Sequence, residues 1–178
     1  MTIERIEEQE LCKDCGLCCD GTLFDKAVIG RGEELELAIS LNLTITDDKN
    51  KVSFKLPCHL FEGKCSIYFS NKRFNMCKTF YCKLLKKFKK REIDFSSTLQ
   101  MVRTARAKAD ELRSLLLTFE ELSDINTVLE LSRRMQKLKR SFPDEILFRK
   151  KYGNVLITLY GLNETLNRHF SDNKKKKL

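Results

Sequence analysis

The chain has 178 residues, eight of them cysteine, and a formal net charge of +9. This length suits one domain or one domain with an appendage, and a hydrophobic fraction of 42% is enough for a core. No apolar run reaches the roughly 18–20 residues of a membrane span, and the polar, acidic N-terminus does not resemble a secretory signal. We therefore expect a cytoplasmic protein with reduced thiols, and clustered thiols in that setting usually bind metal.

All eight cysteines lie between residues 12 and 82. After this segment the composition changes from cysteine and turn residues to leucine, lysine, arginine and glutamate. We expect a cysteine-cluster metal-binding module at residues 1–91, a helical module at 92–170 and a disordered basic tail at 171–178. The predicted fold class is α+β and mostly helical, with a β-hairpin in the small irregular cysteine-rich module and a C-terminal helical hairpin or three-helix bundle.

The first cysteine group has the sequence Cys-Lys-Asp-Cys-Gly-Leu-Cys-Cys. Its two C-x-x-C steps bring the thiols of Cys12, Cys15 and Cys18 to one side of a tight turn, where they can bind one metal ion or cluster. Gly16 suits the backbone bend that this turn requires. Because Cys18 and Cys19 are adjacent, their side chains tend to diverge, and a single centre does not easily use both.

The segment between the cysteine groups predicts one helix and one hairpin. Residues 33–41 follow two glycines and have helical character. Residues 44–46 and 52–56 have strand character and flank the polar turn at 47–51. Two such strands around a polar turn are typical of a β-hairpin.

The second cysteine group follows the hairpin directly, and we expect its thiols to complete the ligand shell of the first group. Its members are Cys58, Cys65, Cys77 and Cys82. The expected main centre consists of Cys12, Cys15 and Cys18 with either Cys58 or Cys77. A second centre would use Cys19, Cys65 and Cys82. His59 could also act as a ligand, although a lone histidine is more often a surface or packing residue.

The second module shows helical spacing throughout. Apolar residues spaced by three and four from Leu99 onward predict its first helix. The sequence from Thr118 to Glu121 matches a capping box and predicts the start of a second helix. Pro143 should end that helix, and Asp144 suits the start of a third.

The order of the cysteine blocks resembles the CxxCxxCC cysteine-cluster family. The resemblance covers about residues 12–82 and includes Pro57-Cys58, Cys65-Ser66-Ile67-Tyr68, and Arg73 four residues before Cys77. In this chain Phe74 takes the place of the family's proline after Arg73, and the spacer at 69–72 is longer. The resemblance implies that seven cysteines match the family's: Cys12, Cys15, Cys18, Cys19, Cys58, Cys65 and Cys77.

The family is described both as a zinc- or iron-chelating domain and as Fe–S-cluster-containing proteins, so the resemblance implies metal binding without one reaction. All-cysteine shells suit zinc and iron–sulphur alike. The C-x-x-C-x-x-C run is similar to the three-cysteine segment of bacterial ferredoxins, so we favour an iron–sulphur cluster, such as [4Fe-4S], over zinc or iron ions. The predicted role is that of a redox, maturation or modification accessory.

Two other functions remain open. One is a structural-zinc, nucleic-acid-binding module. The other is a cluster-dependent group-transfer enzyme such as a protein lysine methylase, because flagellin lysine methylases carry a similar cysteine cluster. The basic run from Lys83 to Arg91 could bind an acidic protein or a nucleic acid, or it could be a solvated helix face.

Overall fold

The computed structural model describes residues 3–48 and 51–171, with residues 3–6 as backbone only. It forms two compact units, Met1–Tyr81 and Cys82–Leu178. The predicted fold class, α+β and mostly helical, is confirmed. Apart from Ser171, the predicted basic tail lies outside the described residues.

The first unit combines three helices with a three-stranded antiparallel sheet. In chain order its elements are α1 (Ile3–Cys15), β1 (Lys26–Ile29), α2 (Glu33–Ser40), β2 (Ile45–Asp48), β3 (Lys51–Lys55) and α3 (Asn75–Thr79). The predicted hairpin is confirmed as β2 and β3, and the predicted helix at 33–41 corresponds to α2.

The sheet has the order β1-β3-β2, so β3 is its central strand. Ala27 of β1 and Ile45 of β2 both lie opposite Phe54 of β3. Phe54 and Val52 are buried in a core that also includes Phe74, whose ring centroid lies 5.1 Å from that of Phe54. The edge strand β1 was not predicted, because four residues are too few to show a clear alternating pattern.

The second unit is helical and contains α4 (Lys83–Lys89), α5 (Phe95–Leu116), α6 (Val128–Ser141) and α7 (Glu145–His169). Its start at Cys82 precedes the predicted boundary at residue 91. The reason is that α4 buries Leu84 and Leu85, and the backbone N–H of Lys83 donates to the carbonyl of Phe170 at 3.1 Å. The α4 segment therefore folds with the helices that follow it.

The start of α6 differs from the prediction. The capping-box sequence from Thr118 to Glu121 leads only into a 3-10 turn at Glu120–Leu122. The helix begins at Val128, where the side-chain oxygen of Thr127 accepts a hydrogen bond from the backbone N–H of Glu130 at 3.2 Å. Leu122 and Ile125 are buried in the intervening segment, so tertiary packing prevails over the local capping signal.

The predicted third helix is confirmed as α7. Asp144 caps it, with Oδ1 accepting a hydrogen bond from the N–H of Ile146 at 2.7 Å. The buried face of α7 packs against α5. That face consists of Phe148, Tyr152, Val155, Leu159, Leu162 and Leu166.

This packing predicts a large cost for truncating a buried leucine of α7. Leu162 is 0% exposed, whereas Leu117 at the end of α5 is 73% exposed. We expect Leu162→Ala to lower the free energy of unfolding by about 2–5 kcal/mol, because it removes buried methyl groups and leaves a cavity. The matched change Leu117→Ala should cost about 0.5 kcal/mol or less. Urea unfolding followed by far-UV circular dichroism measures both, and equal losses would contradict the assigned core.

Candidate metal centre

Cys19 is positioned by a tight turn at the end of α1. Gly16 ends the helix with a φ of +64°, a conformation that residues with a Cβ rarely adopt. The backbone N–H groups of Cys19 and Asp20 both donate to the carbonyl of Gly16, at 2.7 and 3.0 Å. Leu17 within the turn is fully buried, so the turn has a fixed place in the first unit.

A compact loop from Cys58 to Cys65 packs against this turn. The backbone N–H of Cys58 donates to the carbonyl of Cys19 at 2.8 Å, which joins the two cysteines directly. Phe61 forms a β-bridge with Cys65, and its ring lies against Gly16. A Cβ at Gly16 would meet Cζ of Phe61 at 1.8 Å, so only glycine permits this approach.

Cys77 lies on the short helix α3, which two side chains, those of Glu34 and Arg73, tie to its surroundings. Glu34 of α2 accepts a hydrogen bond from the N–H of Asn75 at 2.6 Å. The Arg73 guanidinium donates to the carbonyl of Cys77 and lies 4.1 Å from the ring centroid of Tyr68. Cys77 and Cys58 also pack against the hydrophobic core around the sheet.

These contacts place four thiols within electrostatic range of one another. Burial raises the pKa of Cys19 most, and negative charge on Cys77, Cys65 and Cys58 raises it further. Burial also raises the pKa of Cys77 to about 11, with further contributions from Cys58 and Cys65 and an opposing one from Arg73. We refer to Cys19, Cys58, Cys65 and Cys77 as the four-thiol group.

Cys58 has a partner suited to a thiolate. Burial raises its pKa, while a hydrogen bond from the backbone N–H of Leu60 acts in the opposite direction because it stabilises the negatively charged sulphur. The amide therefore compensates part of the cost of a buried thiolate. Such amide–sulphur bonds tune thiolate ligands in metal centres.

The other four cysteines lie in α1, in the turn after it and at the start of α4. Cys12 and Cys15 occupy the last turn of α1, where a spacing of three residues puts them on one helix face. Burial raises the pKa of Tyr68 to about 12, and the charge of Cys12 raises it too, so Cys12 lies on the Tyr68 side of the unit. Cys82 belongs to the second unit, where it caps α4, and its sulphur accepts a hydrogen bond from Leu85 N–H at 3.5 Å.

The four-thiol group brings Cys19, expected from sequence in a second centre with Cys65 and Cys82, close to Cys58 and Cys77 as well. Cys82 is assigned to the other compact unit. The division of the eight cysteines between two centres stays a prediction. His59 is exposed beside Cys58. None of the eight cysteines, all of which lie in described segments, forms a disulfide. Within the described residues, no three His, Cys, Asp or Glu side chains are already arranged as a metal-binding set.

The donor chemistry of the four-thiol group nevertheless fits a soft or borderline metal. Four thiols, supplied by three segments, match the ligand number of tetrahedral zinc and of iron–sulphur clusters. No family model matches the chain, and neither the curated proteins nor the solved structures gave a significant match. The resemblance to the CxxCxxCC family therefore stays a prediction based on the cysteine pattern.

Sequence reasoning missed two residues that shape the site. Phe61 packs the Cys58–Cys65 loop against Gly16. The backbone N–H of Leu60 donates a hydrogen bond to the sulphur of Cys58. Gly63, with a φ of +74°, lies at the tip of this loop. The short spacing between Cys58 and Cys65, with a glycine between them, was therefore the available sequence signal for a compact loop. The contact of Phe61 with Gly16 is long-range and has no local sequence signature.

The contact between Gly16 and Phe61 gives a testable prediction. Gly16→Ala should destabilise the first unit more than Gly63→Ala does. Both changes force a left-handed conformation on alanine, at about 1–2 kcal/mol. Only the Gly16 change also clashes with Phe61, since a Cβ at Gly63 meets nothing within 4 Å.

Urea unfolding of both variants measures this difference. The double variant Gly16→Ala/Phe61→Ala should recover part of the loss, because it removes the clashing ring. If the double change costs the sum of the two single changes, the contact does not have the assigned role.

Proposed function

We propose that this protein binds a thiolate-ligated metal centre through Cys19, Cys58, Cys65 and Cys77. One observation carries the proposal: the backbone N–H of Cys58 donates a hydrogen bond to the carbonyl of Cys19 at 2.8 Å, which joins candidate ligands from two separate segments. The anchoring of α3 by Glu34 and the influence of Cys58, Cys65 and Cys77 on the pKa of Cys19 also support it.

The ligand chemistry is that of an iron–sulphur cluster or a zinc ion. We favour the cluster, as the sequence pattern does, and the cysteine-rich unit would then act as a redox, maturation or modification accessory. An iron–sulphur cluster would supply one-electron chemistry, whereas zinc would stabilise the fold. Because burial keeps the thiols of Cys19 and Cys77 protonated at neutral pH, metal binding would release protons.

The run formed by Cys12, Cys15 and Cys18 is proposed as a separate source of ligands. Cys12 and Cys15 share a helix face, and Cys18 follows within the turn after α1. These three thiols would hold a second ion or cluster, or would replace a ligand of the first centre. The experiment below separates these arrangements.

Metal analysis of single-cysteine variants tests the proposal. Anaerobically purified protein should contain iron with sulphide, or zinc, and Cys→Ser at each member of the four-thiol group should weaken binding at least about 10–100-fold, a loss that outer-shell changes alone can cause. Cys82→Ser is the matched control and should keep full metal content, because the sulphur of Cys82 caps α4, where it accepts a hydrogen bond from Leu85 N–H. The measurement is elemental analysis together with visible absorption spectra.

The cysteine variants also define what would contradict the proposal. Full metal content in all four group variants, with loss only in variants of Cys12, Cys15 and Cys18, would assign the centre to the N-terminal run. Colourless protein with stoichiometric zinc that unfolds on chelation would select the structural-zinc alternative.

We further propose that the second unit binds an acidic protein through α4. The exposed side of α4 includes Lys86, Lys87 and Lys89. Positive charge is concentrated around His169, whose pKa is lowered first by burial and then by nearby cations. Those cations are Arg168, Lys87, Lys83 and Lys108. Phe88 packs against Phe95 and is half-buried, so α4 offers no exposed aromatic ring for base stacking.

Removing charge from α4 should weaken binding of a labelled polyglutamate peptide. For the triple variant Lys86→Gln/Lys87→Gln/Lys89→Gln we expect at least about threefold weaker binding, since each exposed ion pair contributes about 0.2–1 kcal/mol. The control Lys55→Gln/Lys72→Gln/Lys137→Gln removes equal charge from other exposed positions and should change affinity less than twofold, or about 0.4 kcal/mol.

Fluorescence anisotropy at two salt concentrations measures these affinities. Salt-sensitive binding of duplex DNA without binding of polyglutamate would instead support the nucleic-acid alternative. Equal losses in the two triple variants would show that α4 has no special role.

No helix among the described residues is both long and apolar enough to cross a membrane.

A further inference from the structure

The outer face of α7 carries large apolar side chains that the core does not use. Ile146, Ile157 and Tyr160 are 75%, 73% and 63% exposed. At 3.6 residues per turn these positions lie together on the side of α7 opposite its buried residues. A stripe of exposed apolar side chains along one helix is typical of an interaction surface.

Two glycines lie within the same face. Gly153 and Gly161 are inside the helix, and a Cβ added at either would meet nothing within 4 Å. The packing of the second unit therefore does not require glycine there, although glycine is a poor helix former. Glycine on an exposed helix face allows the backbone of another helix to approach closely.

The face is nearly symmetric about Ile157. Gly153 and Gly161 lie four residues on either side of it, and Lys150 and Glu164 lie seven residues on either side. Both charged residues are exposed, and neither has an ion-pair partner within the described part of the chain. In an antiparallel pair of such helices, lysine of one copy would face glutamate of the other twice.

We propose that α7 pairs antiparallel with α7 of a second copy of this chain, with Ile157 at the two-fold axis. The side chains of Ile157 from the two copies would meet at the axis, and Tyr160 would pack beside Gly153 of the other copy. A parallel pair would instead place lysine against lysine and glutamate against glutamate, so charge complementarity selects the antiparallel arrangement. This symmetry favours a second copy over an unrelated partner, because the same patch is complementary to itself.

The border and the length of this face limit the area that the dimer interface can bury. Lys108 of α5 donates to the carbonyl of Gly161 at 3.3 Å and to the hydroxyl of Thr165 at 2.8 Å, which marks the border with the next helix. From Ile146 to Glu164 the face is about 27 Å long at 1.5 Å per residue. One helix pair of this length is small for a stable interface, so the dimer should be reversible and concentration-dependent.

Sedimentation equilibrium of the full-length protein under reducing conditions tests the proposal. Wild-type protein should show a monomer–dimer equilibrium, and Ile157→Glu should weaken it at least about tenfold, because two buried carboxylates would face each other at the axis. Leu117→Glu is the matched control: it changes an equally exposed residue off this face and should leave the equilibrium unchanged. Wild-type protein that is monomeric at every concentration would overturn the proposal.

Charge exchange tests the antiparallel geometry specifically. Lys150→Glu alone and Glu164→Lys alone should each weaken self-association, because each places like charges opposite one another. An equimolar mixture of these two variants should form a heterodimer, and the double variant Lys150→Glu/Glu164→Lys should associate as the wild type does. If the mixture stays monomeric while the wild type dimerises, a different surface forms the dimer.

The glycines provide an independent readout. Gly153→Ala and Gly161→Ala should preserve or raise helix content, since alanine is the better helix former. Both changes should nevertheless weaken the dimer, because the added methyl groups separate the helices. Unchanged dimerisation in both alanine variants would show that the helices do not meet at these glycines.

Discussion

The first unit depends on the contact between Gly16 and the ring of Phe61. This contact joins the turn after α1 to the loop between Cys58 and Cys65. The backbone hydrogen bond from Cys58 to Cys19 reinforces it. Without it, Cys19 would belong to a helix end and Cys58 to a separate loop. The contact requires a residue without a Cβ at position 16, so one steric constraint positions two candidate ligands together.

The sheet supplies the platform for the other ligands of the four-thiol group. Phe54 and Phe74 fill its core, and Cys58 and Cys77 pack against that core at its edge. Burial raises the pKa of these thiols and makes their ionisation costly in the protein without metal. A bound cation would offset that cost by pairing with several thiolates at once, so metal binding would be coupled to ionisation of these thiols.

Local patterns predicted some elements well and could not predict the grouping of the thiols. The hairpin, α2 and α7 follow from alternation, glycine placement and the cap at Asp144, which all act over a few residues. The capping signal at Thr118 was overridden because Leu122 and Ile125 are buried there. The group of Cys19 with Cys58, Cys65 and Cys77 depends on two long-range contacts, that of Phe61 with Gly16 and that of Cys58 with Cys19, and no local spacing encodes those.

X-ray absorption spectroscopy of the metal in a triple variant, Cys12→Ser/Cys15→Ser/Cys18→Ser, tests the central claim most directly. The account predicts that this variant still binds metal and that the first shell contains only sulphur, at about 2.3 Å if the metal is zinc. It assigns the four protein ligands to Cys19, Cys58, Cys65 and Cys77. Loss of the metal, or a shell containing nitrogen or oxygen donors, would contradict the account.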